Sequence, residues 1–79
     1  MPINELEAVK KFCDNRNILF NYTFCGTKYA AYRLKPDDSR VIRLDNDYYV
    51  ISATLYLMIR RYLVALRKGD GSAETLFNL

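Results

Sequence analysis

The 79-residue sequence contains no histidine and no tryptophan, and only 3 glycines, 2 prolines and 2 cysteines. Each shortage excludes something. Without histidine there is no Ser-His-Asp triad, no Cys-His pair and no histidine-containing zinc site. Cys13 and Cys25 are too few to close a four-ligand zinc site and too far apart for a C-x-x-C pair. Two cysteines also do not make a disulfide scaffold, so both are expected as buried, reduced thiols of a cytosolic protein. Gly26, Gly69 and Gly71 are scattered and supply no phosphate-cradling loop. The longest apolar stretch, Tyr48 to Ile59, is broken by Ser52 and Thr54 and ends at Arg60-Arg61. It falls short of the ~20 residues that a membrane span needs. Residues Met1 to Glu7 lack the apolar core of a secretory leader.

What is present describes a folded domain. Hydrophobic residues make up 51% and charged residues 27%, with a formal net charge of +3, far from the composition of a disordered chain. The length accommodates one domain. A domain of this size buries only ~60–65% of its unfolded surface, so oligomerisation or a partner would add to a thin margin of stability.

The first helix is well signalled. Asn4 can cap it, Glu7 follows three residues later as in a capping box, and Leu6, Val9 and Cys13 share one face with Phe12 beside them. Asp14 to Asn17 ends it. From Ile18 to Cys25 the residues alternate, with Ile18, Phe20, Tyr22 and Phe24 on one side, and this predicts a strand. Gly26-Thr27 turns the chain. Tyr29 to Lys35 also alternates and predicts a second strand, with Tyr29, Ala31, Arg33 and Lys35 on its outer face. Pro36 to Ser39 has turn chemistry. Arg40 to Leu44 reads as a third strand, and Asp45 to Asp47 as a further turn. Tyr48 to Ile51 fits either a fourth strand or the first turn of the next helix, with its aromatic and β-branched content favouring the strand. The last helix runs from about Ala53 to Lys68, with Gly69 placed to end it. Its core stripe is Leu55, Met58, Ile59, Tyr62 and Leu66. The expected fold is therefore α+β: a helix, an antiparallel meander of three or four strands, and a helix, both helices on one sheet face. Residues 1–69 form the domain and 70–79 a C-terminal tail, whose Leu76, Phe77 and Leu79 either pack back or dock elsewhere.

Chemistry has few places to reside. Asp37-Asp38 and Asp45-x-Asp47 could offer oxygens to Mg²⁺, but each aspartate already sits where a turn wants one. No metal, no cofactor and no catalytic residue is expected. The more informative feature is the outer face of the last helix, which carries Tyr56, Leu57, Arg60, Arg61, Val64, Arg67 and Lys68 and no acid. Cations near a helix C-terminus complement its dipole and account for Arg67 and Lys68. They do not account for Leu57 and Val64 among them, a mixture with the composition of an interface core. A second candidate is the outer sheet face, with Tyr29, Arg33, Lys35 and Arg43. Tyrosine and arginine together suit single-stranded nucleic acid, although turn aspartates would also pair with those arginines.

Two resemblances bear on this. The element order is similar to that of double-stranded-RNA-binding domains. Here, however, the last helix opens Ser52-Ala53-Thr54-Leu55, without that family's lysine pair, and no RNA-binding residue is carried over. Locally, Met1 to Leu6 and Arg40 to Ser52 resemble small phage anti-CRISPR proteins that inhibit Cas9. That resemblance covers under a quarter of the chain. It implies a helix–meander–helix fold and a non-enzymatic inhibitor or adaptor that occludes a larger partner, in that family a nucleic-acid enzyme. The charge differs, since that inhibitor is acidic whereas this chain is basic. The leading expectation is a small protein-binding module of monomeric or homodimeric state, acting through Tyr56, Leu57, Arg60, Arg61, Val64 and Arg67. A two-fold pairing through this face would bring like charges together. The alternative is nucleic-acid binding through the basic helix and sheet faces, which a pI near 9.0 supports only modestly.

Overall fold

A computed structural model describes residues 4–78. The order of elements is α1 (Glu5–Asn15), β1 (Thr23–Phe24), α2 (Lys28–Leu34), β2 (Ser39–Leu44), β3 (Asp47–Ser52), α3 (Ala53–Lys68) and α4 (Ser72–Phe77). The class is α+β, with a three-stranded antiparallel sheet in the order β1-β3-β2.

Local chemistry sets the helix limits. The Asn4 side chain caps α1 by accepting from the Glu7 N–H at 3.0 Å. At the other end Asn17 takes a left-handed φ of 57°. The Ile18 N–H then reaches the Cys13 carbonyl and the Asn17 N–H the Asp14 carbonyl, the paired bonds of a Schellman stop. Ser52 caps α3 through the Leu55 N–H, and Gly69 ends it at φ 69°.

The hairpin of β2 and β3 turns on Asp45-Asn46, with Leu44 opposite Asp47 and Ile42 opposite Tyr49. Tyr48 to Ile51 is thus strand. Alternation places Ile42, Leu44, Tyr49 and Ile51 on one face. Against them α1 presents Val9, Phe12 and Cys13, and α3 presents Leu55, Ile59, Tyr62 and Leu63. Phe12 stacks on Tyr62 with ring centroids 4.4 Å apart. Both long helices therefore cover the same face, as the apolar stripes require.

Two expected strands differ. Of Ile18 to Cys25, only Thr23-Phe24 is strand, opposite Val50 and Tyr49. Two residues past Val50 the partner strand ends and α3 begins, so residues 18–20 have no ladder to join. They still alternate in depth: Ile18 and Phe20 are half-buried against the core while Leu19 is exposed.

Tyr29 to Lys35 is not a strand, because Lys28–Leu34 is helix α2. The Thr27 hydroxyl accepts from the Ala30 N–H at 3.1 Å, Ala30-Ala31 favours helix, and Lys35 is extended, as a residue before proline must be. Ala31 is fully buried. The helix packs on β2 and β3, over the face carrying Val41 and Val50. The sheet face expected to be open is therefore partly roofed, and the small Ala31 side chain permits the close approach. Ala31→Leu should overpack this contact and lower unfolding stability by about 1–3 kcal/mol. Urea denaturation would detect the change.

The expected tail also has structure. Residues Ser72–Phe77 form α4, and Ala73, Leu76 and Phe77 pack against the core. The end of α1 holds it: Asn15 donates to the Phe77 carbonyl and Arg16 to the Leu76 carbonyl. Leu79 lies outside the described residues. Cys13 is buried and Cys25 half-buried, both free. Burial pushes the Cys13 thiol up, which keeps it protonated.

Candidate functional site

The outer face of α3 begins as a periodicity and becomes a ridge between two grooves. At 100° per residue, Tyr56, Arg67 and Arg60 lie toward one flank, Val64 and Leu57 at the crest, and Arg61 toward the other. On the first flank a groove of about 240 Å³ runs between α3 and β2, bordered by Tyr56, Arg60, Val64 and Arg67 on the helix and Val41 and Arg43 on the strand. On the other, Leu57 and Arg61 border a cavity of about 420 Å³ shared with Phe12 and Arg16 of the α1 end and Leu76 of α4. Leu57 is 75% exposed and Val64 46%. The structure thus leaves Leu57, Arg60, Arg61 and Val64 exposed together on this ridge, with Tyr56 beside them half-buried against the core.

Arg67, the sixth expected contact residue, is already engaged. Its guanidinium donates to both carboxylate oxygens of Glu5, at 2.7 and 3.1 Å, and to the Arg43 carbonyl at 3.1 Å. Glu5 in turn accepts from the Asp45 N–H at 2.8 Å, and the Asp45 carboxylate accepts from the Glu5 and Leu6 N–H groups at 2.9 and 3.4 Å. This clasp joins the start of α1, the β2–β3 turn and the end of α3. The Arg67 hydrogen bond holds the Glu5 carboxyl below its ordinary range. Arg67 is therefore a structural residue at the edge of the surface, a role its spacing on α3 gives no sign of.

Arg60 and Arg61 differ from Arg67. Among the described residues no carboxylate lies within ion-pair distance of either. Arg60 sits over the Tyr56 ring at 5.9 Å.

The second candidate set is dispersed. Tyr29 and Arg33 lie on α2, not on a sheet, because that segment is helical. They are one helical turn apart, with an Arg33–Tyr29 hydrogen bond of 3.1 Å. Lys35 is the cap residue of α2. Arg43 lies on β2 and borders the α3 groove instead. In their place α2 assembles Lys28, Tyr29, Tyr32 and Arg33 around a shallow open surface, with Tyr29 72% and Tyr32 55% exposed. Lys28 and Tyr32 were hidden from the sequence pattern by the strand periodicity. The Thr27 cap, the alanine pair and the following Pro36 were the signals that would have revealed them.

Of the turn aspartates, Asp45 binds the first N–H groups of α1, as above. Among the described residues, no three of Asp, Glu and Cys converge as a metal site, and no helix is long and apolar enough to cross a membrane. Family models, curated proteins and solved structures offer no match to this chain.

Proposed function

We propose that this protein works by binding, not by catalysis, and that the exposed ridge of α3 is the surface that docks on a larger protein. One observation carries the reading: Leu57 and Val64 stand in solvent between arginines that no carboxylate neutralises among the described residues. Apolar area at the centre with arginine around it is the composition of a protein interface. Arginine adds bidentate recognition of carboxylates. The mode of action, occlusion or bridging of a larger partner, is the one that the local resemblance to phage inhibitors implies, and no residue is carried over from it.

A second reading has its own support. The exposed tyrosines of α2, beside Lys28 and Arg33, are suited to stacking on single-stranded bases.

Salt separates the two. Size-exclusion chromatography with light scattering at about 0.05 and about 0.5 M salt, with and without a mixed nucleic acid, reads the difference, because exposed charges are screened over that range. We expect no shift with nucleic acid. We also expect that a complex recovered with the tagged wild type resists high salt and is lost from the Leu57→Glu/Val64→Glu variant, whose circular dichroism stays unchanged. A nucleic-acid shift that collapses steeply with salt would sink the protein-docking reading and transfer the search to α2.

A further inference from the structure

The groove between β2 and α3 has a free sheet edge as its floor. We propose that it receives a short, extended, acidic segment of the partner protein, added along β2 as a fourth strand. This rests on the docking role of α3 and names the chemistry of what docks.

The argument starts from the β2–β3 turn. In a two-residue hairpin the flanking pair, here Leu44 and Asp47, is hydrogen-bonded, and bonded positions then alternate. Arg40, Ile42 and Leu44 therefore bond to β3, while Ser39, Val41 and Arg43 turn their backbone groups away from it. The contacts at the outer edge agree: the Ser39 N–H donates to the Pro36 carbonyl, the Ser39 carbonyl accepts from Arg40, and the Arg43 carbonyl accepts from Arg67. Both ends of the edge are thus capped. Its centre is open, because the N–H and carbonyl of Val41 and the N–H of Arg43 have no strand beside them among the described residues. An open edge of this kind is a template for strand addition, in which backbone bonds give affinity and side-chain pockets give choice.

Dimensions and charge select the occupant. On β2 the groove runs along Val41 to Arg43, about 10 Å of strand, and Tyr56 to Arg67 on α3 span about 16 Å, so its open part seats the three to five central residues of one added strand. Its borders carry Arg43 and Arg60 and no acid, with Val41, Leu63 and Val64 between them. Arg40 and Arg43 on the edge disfavour a second copy of the same basic edge and favour carboxylates. A segment alternating acidic and β-branched apolar residues satisfies both features.

The test uses the whole ¹⁵N-labelled protein and a blocked hexapeptide, Val-Asp-Val-Glu-Val-Asp, with a lysine-substituted control. Two further versions carry N-methyl groups on one or the other set of alternate amides. We expect the acidic peptide to shift the amide signals of Val41 and Arg43 together with those of Arg60 and Val64. The lysine version should bind at least about tenfold more weakly, and one methylated register should lose at least about tenfold while the other does not, since only alternate amides face the edge. Equal binding of both methylated registers, with shifts confined to α3, would overturn strand addition and leave the α3 surface standing. Absence of any binding would overturn this inference alone, because the Leu57/Val64 comparison is independent of it. A dimer seen by light scattering and dispersed by Val41→Pro would place a second copy on the edge and overturn the acidic occupant.

Discussion

Replacing Ile59 by alanine should destabilise the domain by about 2–5 kcal/mol, the range for a buried isoleucine truncated to a methyl group. Ile59 is fully buried in the cluster that joins α1, α3 and the sheet. Its loss removes apolar transfer energy and leaves a cavity that helix-on-sheet packing closes only in part. A chain of this length has about 4–12 kcal/mol of total stability, so the substitution consumes at least about a sixth of it and, at the low end of that range, all of it. Ile59→Val should cost only about 0.5–1.5 kcal/mol. Urea unfolding should show the midpoint falling with an unchanged slope. A cost under about 1 kcal/mol for Ile59→Ala would mean that α3 is not seated on the sheet as described. Because Leu57 and Val64 ride on the same helix, this variant should also weaken docking, but only in proportion to the unfolded fraction.

The second large effect concerns the clasp of Glu5, Asp45 and Arg67. Arg67→Ala should cost about 1–2 kcal/mol. Hydrogen bonds to charged groups are worth somewhat more, and the Arg67 side chain, 42% exposed against 14% for Glu5, is discounted for solvent screening. The pH dependence follows from the direction of the Glu5 shift. Its folded value is lowered, chiefly by the Arg67 hydrogen bond, so the protein binds the proton less well folded than unfolded. The resulting stability is present in full above the unfolded glutamate value of about 4.3 and is lost as pH falls through the lower folded value. Glu5→Gln keeps an acceptor for the Asp45 N–H but has no carboxylate to titrate. Its unfolding free energy should start lower at neutral pH and decline less between about pH 5 and pH 3. Parallel curves for wild type and Glu5→Gln would show that the ion pair contributes nothing. In Arg67→Ala the Glu5 carboxyl should titrate closer to its ordinary range, which side-chain carbonyl chemical shifts can follow.

The candidate surface was legible where it depended on one element. Tyr56, Leu57, Arg60, Arg61 and Val64 lie on a 16-residue helix whose period is fixed by backbone geometry, so their shared face follows from spacing alone. Arg67 obeys the same spacing, yet its partner Glu5 is 62 residues away, and no local pattern brings an acid from the first helix to the last. The Tyr29 to Lys35 segment shows the opposite failure. Seven residues alternate well enough for a strand and also suit two helical turns. The Thr27 cap and a seat for Ala31 on the sheet decide in favour of the helix.

By itself, then, the sequence determined the absence of histidine chemistry, the two long amphipathic helices with their limits at Asn4 and Gly69, and the apolar–basic face of α3. All of these rest on contacts within a few residues, where propensity and period are decisive. Only the tertiary structure decided that α2 roofs the second sheet face, that α4 packs back on the core, that Arg67 is tied to Glu5, and that β2 is left as an open edge beside α3. Those outcomes depend on which distant surfaces bury one another, and burial between distant segments is a property of the assembled fold that no short window of residues contains.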